Sequence, residues 1–261
     1  MKVDEVAQPL SGRAVLVTRP LQQAHNLVRL IVEAGGEAVQ FPALSIEPAT
    51  ELMRVKEILS GVHSFDLAIF VSPTAVDQGF ALLQDKWPPS VRVAALGEGT
   101  AAALRQQGVR SVIVPSLGAD SESLLATAQL KRLRGKRVLI VRGEGGRELL
   151  AEQLRSRGAE VTYAECYRRA RPRADCGSLI ARWEQGGLDA VTVMSAATLD
   201  NLWAMLGSRG QRLLSATPLF VPHPSVAEHA GRLGLTEVEV TSAGDQGVLR
   251  ALARWFSERS P

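Results

Sequence analysis

Apolar positions along the chain fall into short runs separated by amphipathic segments of helix length. Val15–Val17, Leu67–Val71, Val91–Leu96 and Val112–Val114 read as buried strands of the first half. Val138–Val141, Val191–Met194, Leu219–Val221 and Val238–Val240 answer them in the second. Between strands, Ala24, Leu27, Leu30, Ile31 and Ala34 recur at the spacing of one helical face. Gly35-Gly36 ends that helix and Gly158 ends its counterpart, where a left-handed cap is expected. Such alternation predicts parallel sheets covered by helices on both sides. Two segments break the rhythm. Glu37 to Glu47 and Glu160 to Arg171 read as long and extended, with no internal Gly or Asn-Gly turn. They are expected to leave one compact body and enter another as a two-stranded bridge. The first ten residues and the last few read as frayed.

The pattern is written twice. Gly12-Arg13-Ala14-Val15-Leu16-Val17-Thr18-Arg19 returns as Gly135-Lys136-Arg137-Val138-Leu139-Ile140-Val141-Arg142, a shift of 123 residues. The same shift carries Leu27 to Leu150, Gly35 to Gly158, Phe65-Asp66 to Leu188-Asp189, and Ser72 to Ser195. A duplicated unit of about half the chain favours two similar domains, and the cleft between such domains is a preferred place for a ligand. The residue pattern leaves open whether each repeat folds by itself or the two exchange segments.

Composition narrows the function classes. With 46% apolar and 22% charged residues, the 261-residue chain can build sizeable cores under a solvated surface. Aromatics make up only 5%, the net charge is +3 and basic residues are scattered, which argues against a nucleic-acid partner. No stretch approaches the roughly 18 apolar residues of a membrane span, and no signal core opens the chain, so no membrane partner and a cytoplasmic location are expected. Cys166 and Cys176 fit no zinc spacing, and His25, His63, His223 and His229 are dispersed, so no metal is expected.

In open parallel sheets the ligand crevice lies beyond the carboxyl ends of the strands. There the sequence places Thr18-Arg19-Pro20, Ser72-Pro73-Thr74, Gly97-Glu98-Gly99-Thr100 and residues 116–121 in the first half. The second half offers Arg142-Gly143-Glu144-Gly145-Gly146, Ser195-Ala196-Ala197-Thr198, His223-Pro224-Ser225 and Ser242-Ala243-Gly244-Asp245. Nearly every one precedes a predicted helix. Helix N-termini present free N–H groups and partial positive charge, and together suit a ligand with several anionic groups. Ser, Thr and Asp at these places are equally ordinary N-caps. Gly97 to Ala102 matches a dinucleotide fingerprint in form, but no acidic residue ends a following strand about 20 residues on. Tyr167 lies on the long strand and reads either as a packing residue or as a phenol that could donate a proton in a cleft.

Several of these stretches, in order and at matching spacing, resemble the uroporphyrinogen-III synthase family. They are Val15-Leu16-Val17-Thr18-Arg19-Pro20, Phe41-Pro42, Phe70-Val71-Ser72-Pro73-Thr74-Ala75-Val76, Gly97-Glu98-Gly99-Thr100-Ala101, Tyr167-Arg168 and Ala243-Gly244-Asp245. The resemblance runs from about residue 12 to 256. It implies two flavodoxin-like α/β domains with parallel sheets, joined by a two-stranded β hinge, with the active-site cleft between them. Residues 1–42 and 169–261 would form one domain, residues 43–168 the other, with linker strands at about 37–47 and 160–171. The implied activity closes linear hydroxymethylbilane to uroporphyrinogen III with inversion of ring D and loss of water, without cofactor or metal. Tyr167 matches the family tyrosine proposed to assist departure of the hydroxyl. Thr18, Arg19, Ser72, Pro73, Thr74, Gly97, Thr100, Arg142, Gly143, Ser195, Ala196, His223 and Ser225 would bind substrate. Two departures stand out: His223-Pro224-Ser225-Val226 lacks a threonine some members carry, and Ser195-Ala196 lacks the proline of Ser72-Pro73. The implied partner is the linear tetrapyrrole alone, handed over transiently from hydroxymethylbilane synthase to a monomer. The competing expectations are a non-catalytic two-lobed sensor for a polyanionic metabolite and, third, a nucleotide-dependent enzyme.

Overall fold

A computed structural model describes residues 8–83 and 85–259. The chain divides into two compact units, residues up to Ser45 with those from Ala170 onward, and Ile46–Arg169. It begins in the first unit with β1 (Ala14–Val17), α1 (Leu21–Glu33) and β2 (Glu37–Gln40). It then supplies the second unit with β3 (Ser45–Pro48), α2 (Leu52–Ser60), β4 (Leu67–Phe70), α3 (Pro73–Leu82), β5 (Arg92–Ala95) and α4 (Glu98–Gln106). There follow β6 (Val112–Ile113), α5 (Ser121–Ala126), β7 (Arg137–Gly143), α6 (Leu149–Ser156) and β8 (Glu160–Ala170). The return to the first unit adds α7 (Gly177–Glu184), β9 (Ala190–Thr192), α8 (Ala196–Ser215) and β10 (Leu219–Val221). It closes with α9 (Pro224–Arg232), β11 (Val238–Val240) and α10 (Asp245–Arg259).

The first unit holds a five-stranded sheet in the order β11-β10-β9-β1-β2, and the second a six-stranded sheet in the order β3-β8-β7-β4-β5-β6. Along β2-β1-β9-β10-β11 the order is that of a flavodoxin-like sheet, and β8-β7-β4-β5-β6 repeats it. Each sheet is buried on both faces. Leu67 and Ile69 of β4 enter one core, while Ala68 and Phe70 enter the core on the opposite face. That is why β4 reads as an unbroken apolar run rather than an alternating one. Helix α1 buries Ala24, Leu27, Leu30 and Ile31, and Gly35 beyond it takes a φ of 84°, as Gly158 does at 81° after α6.

The two repeats exchange strands. β1 of the first repeat pairs with β9 of the second, through Leu16 and Val191, and β7 of the second pairs with β4 of the first, through Ala68 and Leu139. One aspartate in each repeat clamps the strand received from the other. Asp66 accepts from Arg137 N–H at 2.9 Å and pairs with Lys136 at 2.8 Å. Asp189 accepts from Ala14 N–H at 2.8 Å and pairs with Arg13 at 3.1 Å.

The structure departs from two expectations. The extended segment Glu37 to Glu47 is interrupted: after β2, Phe41 N–H and Ala43 N–H donate to Val17 and Thr18 carbonyls, and pairing resumes only at Ser45. Pro42, without an N–H, stands between them and cannot carry the ladder on. Its counterpart is one unbroken strand, Glu160–Ala170, and β3 beside it forms the edge of the six-stranded sheet. The second departure concerns the N-terminus. Leu10 is fully buried and its N–H donates to Ala34 O at 3.0 Å, so the chain is already anchored at residue 10; residues 1–7 lie outside the described residues. At the other end α10 runs to Arg259, and residues 260–261 lie outside the described residues.

Candidate active site

The helices that follow strands in the sheets begin at the predicted polar loops, because Ser, Asp and His at these turns satisfy amides the helix leaves open. Ser72 caps α3 by accepting from Ala75 N–H at 3.1 Å, with Pro73 exposed in the first turn and half-buried Thr74 after it. Gly97 begins α4 in an extended conformation, and Thr100 is buried in its first turn. Asp120 caps α5 through Ser123 N–H at 2.7 Å, and the Ser123 hydroxyl together with that N–H holds its carboxyl below the usual range. In the first unit Ser195 caps α8, accepting from Thr198 N–H at 3.2 Å, with Ala196 next in line. His223 caps α9: its Nδ1 accepts from Ser225 N–H at 3.2 Å and lies 2.9 Å from Ser225 Oγ. Both His223 and Ser225 belong to the solvent-facing start of that helix, with Ser225 exposed.

Three candidate binding residues are engaged by the protein itself. Thr18 is fully buried and its hydroxyl donates to Thr192 O at 2.7 Å, which makes it a rung of the sheet rather than a contact for ligand. Arg19 pairs with Asp245 at 2.5 Å, and Asn26 donates to the other Asp245 oxygen at 2.7 Å. Arg142 is ion-paired to Glu148 at 2.8 Å and Glu165 at 3.0 Å, and its guanidinium lies 3.8 Å from the centroid of the Tyr163 ring. Tyr163 in turn donates to Glu148 at 2.6 Å. Burial and that bond push the Tyr163 phenol up to about 12, while the bonds from Tyr163 and Arg142 hold the Glu148 carboxyl down.

At the carboxyl end of the six-stranded sheet, Ser72, Gly143 and Tyr167 come together. Pairing between β7 and β8 runs regularly to Arg142 opposite Glu165, then slips so that Gly143 stands opposite Tyr167. The slip breaks the two-residue alternation, leaving both Cys166 and Tyr167 buried in the core that contains Phe70. One extra residue in a strand re-aims the side chains beyond it. Tyr167 is therefore on the same face as Ser72, with its hydroxyl 3.3 Å from Ser72 Oγ. Gly143 makes room: a Cβ there would lie 2.6 Å from the tyrosine ring. Arg169 donates to the phenol oxygen at 3.2 Å, with its guanidinium 5.5 Å from the ring centroid. Arg169, Arg142, Arg147 and Gly143 line a cavity of about 220 Å3. Arg168, by contrast, turns to Glu47.

Arg169 as a partner of the phenol was not singled out from sequence, and neither were Glu148 and Glu165 around Arg142. The strand carries no glycine or proline of its own to announce the slip. The available signal was Gly143, at the end of the facing strand. Among the described residues, no group of three or more His, Cys, Asp or Glu is placed to hold a metal, and no helix is long and apolar enough to cross a membrane.

A family model described as uroporphyrinogen-III synthase HemD matches residues 25–247. The uroporphyrinogen-III synthase of Escherichia coli is 34% identical over 245 residues, covering 92% of this chain and 99% of the relative. That of Salmonella typhimurium is 34% identical over 244 residues, with the same coverage of both. Among solved structures, a mutant uroporphyrinogen III synthase from the extremely thermophilic bacterium Thermus thermophilus matches with a TM-score of 0.59 at 18% identity, covering 95% of this chain and 100% of that one. At such identity the structural likeness speaks for the fold. The sequence relatives and the family match speak for descent, and the chain belongs to the uroporphyrinogen-III synthase family.

Proposed function

We propose that this chain is a uroporphyrinogen-III synthase, which closes linear hydroxymethylbilane to uroporphyrinogen III with inversion of ring D and release of water. The observation that carries this reading is family membership over residues 25–247, supported by 34% identity along nearly the whole of a curated synthase. The reaction begins with loss of the ring A hydroxyl, which leaves an azafulvene cation. Ring D attacks through its substituted carbon, and the resulting spiro intermediate fragments and recloses. Without enzyme the bilane closes to the unrearranged isomer, so catalysis here is chiefly the fixing of one conformation.

The polar helix starts of each unit are proposed to hold the acetate and propionate groups. Ser72, Pro73, Thr74, Gly97, Thr100, Ser195, Ala196, His223 and Ser225 belong to these starts and Gly143 to the end of β7, and the first-turn N–H groups that no cap or turn already holds are the donors. A substrate with eight carboxylates needs many such donors, and N–H groups at helix starts bind anions without needing lysine or arginine. Arg19 and Arg142 serve by ordering their loops, since their charges are met by Asp245, Glu148 and Glu165. A cytoplasmic setting completes the reading, supported by two free, buried thiols at Cys166 and Cys176. Direct transfer from hydroxymethylbilane synthase would suit a substrate that closes by itself in water.

The test is an isomer assay. Purified chain given freshly made hydroxymethylbilane is expected to yield the type III isomer after oxidation and chromatography. Type I product alone would remove the proposal.

A further inference from the structure

The phenol expected to release the hydroxyl is enclosed. Tyr167 has 0% of its surface exposed, whereas Ser72, 3.3 Å from the phenol oxygen, is half-buried at the start of α3. In this arrangement no surface of Tyr167 is open to a substrate oxygen. We propose that Ser72 is the group that protonates the departing hydroxyl, and that Tyr167 and Arg169 act through it as a relay.

Counting donors gives the relay its direction. An arginine can only donate, so in the 3.2 Å bond from Arg169 the tyrosine oxygen is the acceptor. Ser72 Oγ already accepts from Ala75 N–H at 3.1 Å, which fixes one of its lone pairs. The two hydroxyls own two protons and share one hydrogen bond, so one proton is left to point elsewhere. If Ser72 donated to Tyr167, the tyrosine proton would be left inside the core, where burial without an acceptor is costly. If Tyr167 donates to Ser72, the serine proton is the uncommitted one, and Ser72 is the member of the pair with an exposed edge. The second arrangement is the better satisfied.

The step balances. The C–O bond to the ring A hydroxyl breaks with its electron pair going to oxygen, which takes the Ser72 proton and leaves as water. Ser72 takes the Tyr167 proton as it gives up its own, so the serine carries no charge. The phenolate that remains lies 3.2 Å from the fixed positive charge of Arg169. Reclosure joins the previously unsubstituted carbon of ring D to the bridge carbon freed by fragmentation, the proton of that ring carbon is released, and the relay running in reverse restores the phenol.

This proposal rests on the synthase reading, and its test separates the two. The wild type, given fresh hydroxymethylbilane, is scored for type III isomer first; type I alone would remove the reading and the relay with it. With type III established, Tyr167→Phe and Ser72→Ala are each expected to lower kcat about 100- to 10,000-fold, the span of general-acid contributions, with KM changed far less. The double variant is expected to be no slower than the worse single one, because both break one chain. Ser72→Asn keeps an oxygen to cap α3 but supplies no hydroxyl, and should be as slow as Ser72→Ala. Ser72→Thr restores hydroxyl and cap together and should recover most of the lost rate. In mixed H2O and D2O the wild-type rate should show two protons in flight, and Ser72→Ala fewer. Wild-type kcat in Ser72→Ala or Ser72→Asn, or losses that multiply in the double variant, would overturn the relay.

Discussion

Gly143 is the position on which the placement of Tyr167 turns. Its missing side chain leaves space into which the ring packs, and a methyl there would press on the ring at 2.6 Å. Gly143→Ala is therefore expected to push the phenol off Ser72 while the sheet stays formed. Overpacking of this kind costs about 1–3 kcal/mol. A displacement near 1 Å at a reacting group can cost about 100-fold in rate. Isomer-resolved kinetics beside a thermal melt would check both; an unchanged rate would show that the ring tolerates the shift. Cys166, next to Tyr167 in the slipped strand, makes a second residue-scale case. Burial pushes its thiol up to about 12, and only 1% of the residue is exposed. It should resist thiol reagents in the native protein near neutral pH and react only after unfolding, which a timed thiol titration would show. Tyr167 as a candidate, and Arg169 two places along the same strand, were legible in the sequence. The register slip is a tertiary fact, and period-two alternation alone does not bring Cys166 and Tyr167 into one core.

At the scale of elements, the helix caps were readable because capping chemistry is local: Ser72, Asp120 and Ser195 lie in the loops between strand and helix and each accepts from an amide three residues on. The ion pairs were not. Arg142 meets Glu165 on β8 and Glu148 before α6, partners that only strand pairing and the turn of the loop bring close. This cluster should print itself on the pH dependence of stability. Tyr163 holds its proton more tightly folded than unfolded, its value raised from 10.0 to about 12. Its contribution is therefore complete below pH 10 and lost as pH rises from 10 to 12. Glu148 is shifted the other way, by hydrogen bonds from Tyr163 and Arg142. Its contribution is present above the ordinary carboxylate range and lost as pH falls below about 4.5. Tyr163→Phe is expected to lessen both losses, since it removes the titrating phenol and one of the bonds on Glu148. Melting temperature from strongly acid to strongly alkaline pH for both proteins is the measurement, and superimposable curves would count against the assignment.

At the scale of the whole molecule, the repeat and the helix-covered parallel sheets were legible because alternating apolar runs and helical faces survive duplication, while the flavodoxin-like class came with the family resemblance. The exchange of strands was not readable from residues alone. Nothing local in β1 says that it belongs beside β9 rather than β4, since Ala14–Val17 and Arg137–Gly143 offer the same apolar faces. The aspartate clamps do not distinguish them either, because Asp189 reaches Ala14 and Asp66 reaches Arg137 at equivalent places of the two repeats. Each clamp ties a strand of one repeat to the other, and Asp189→Ala should lower stability by about 1–3 kcal/mol, the cost of leaving the buried Ala14 N–H without its acceptor. The same connectivity makes a sharper claim about fragments. Ile46–Arg169 is continuous in sequence and contains both cores packed on its six-stranded sheet. A fragment of residues 46–169 should therefore melt cooperatively by itself. A fragment ending at the repeat boundary, residues 12–134, keeps β4, β5 and β6 but loses β7 and β8, so Leu67 and Ile69 lose the neighbouring strand against which they are paired. It should fail to fold alone and regain structure only when mixed with residues 135–261. Circular dichroism of the three fragments would decide, and a cooperative melt of residues 12–134 alone would mean that each repeat can close on itself and that the exchange is a choice between two stable pairings.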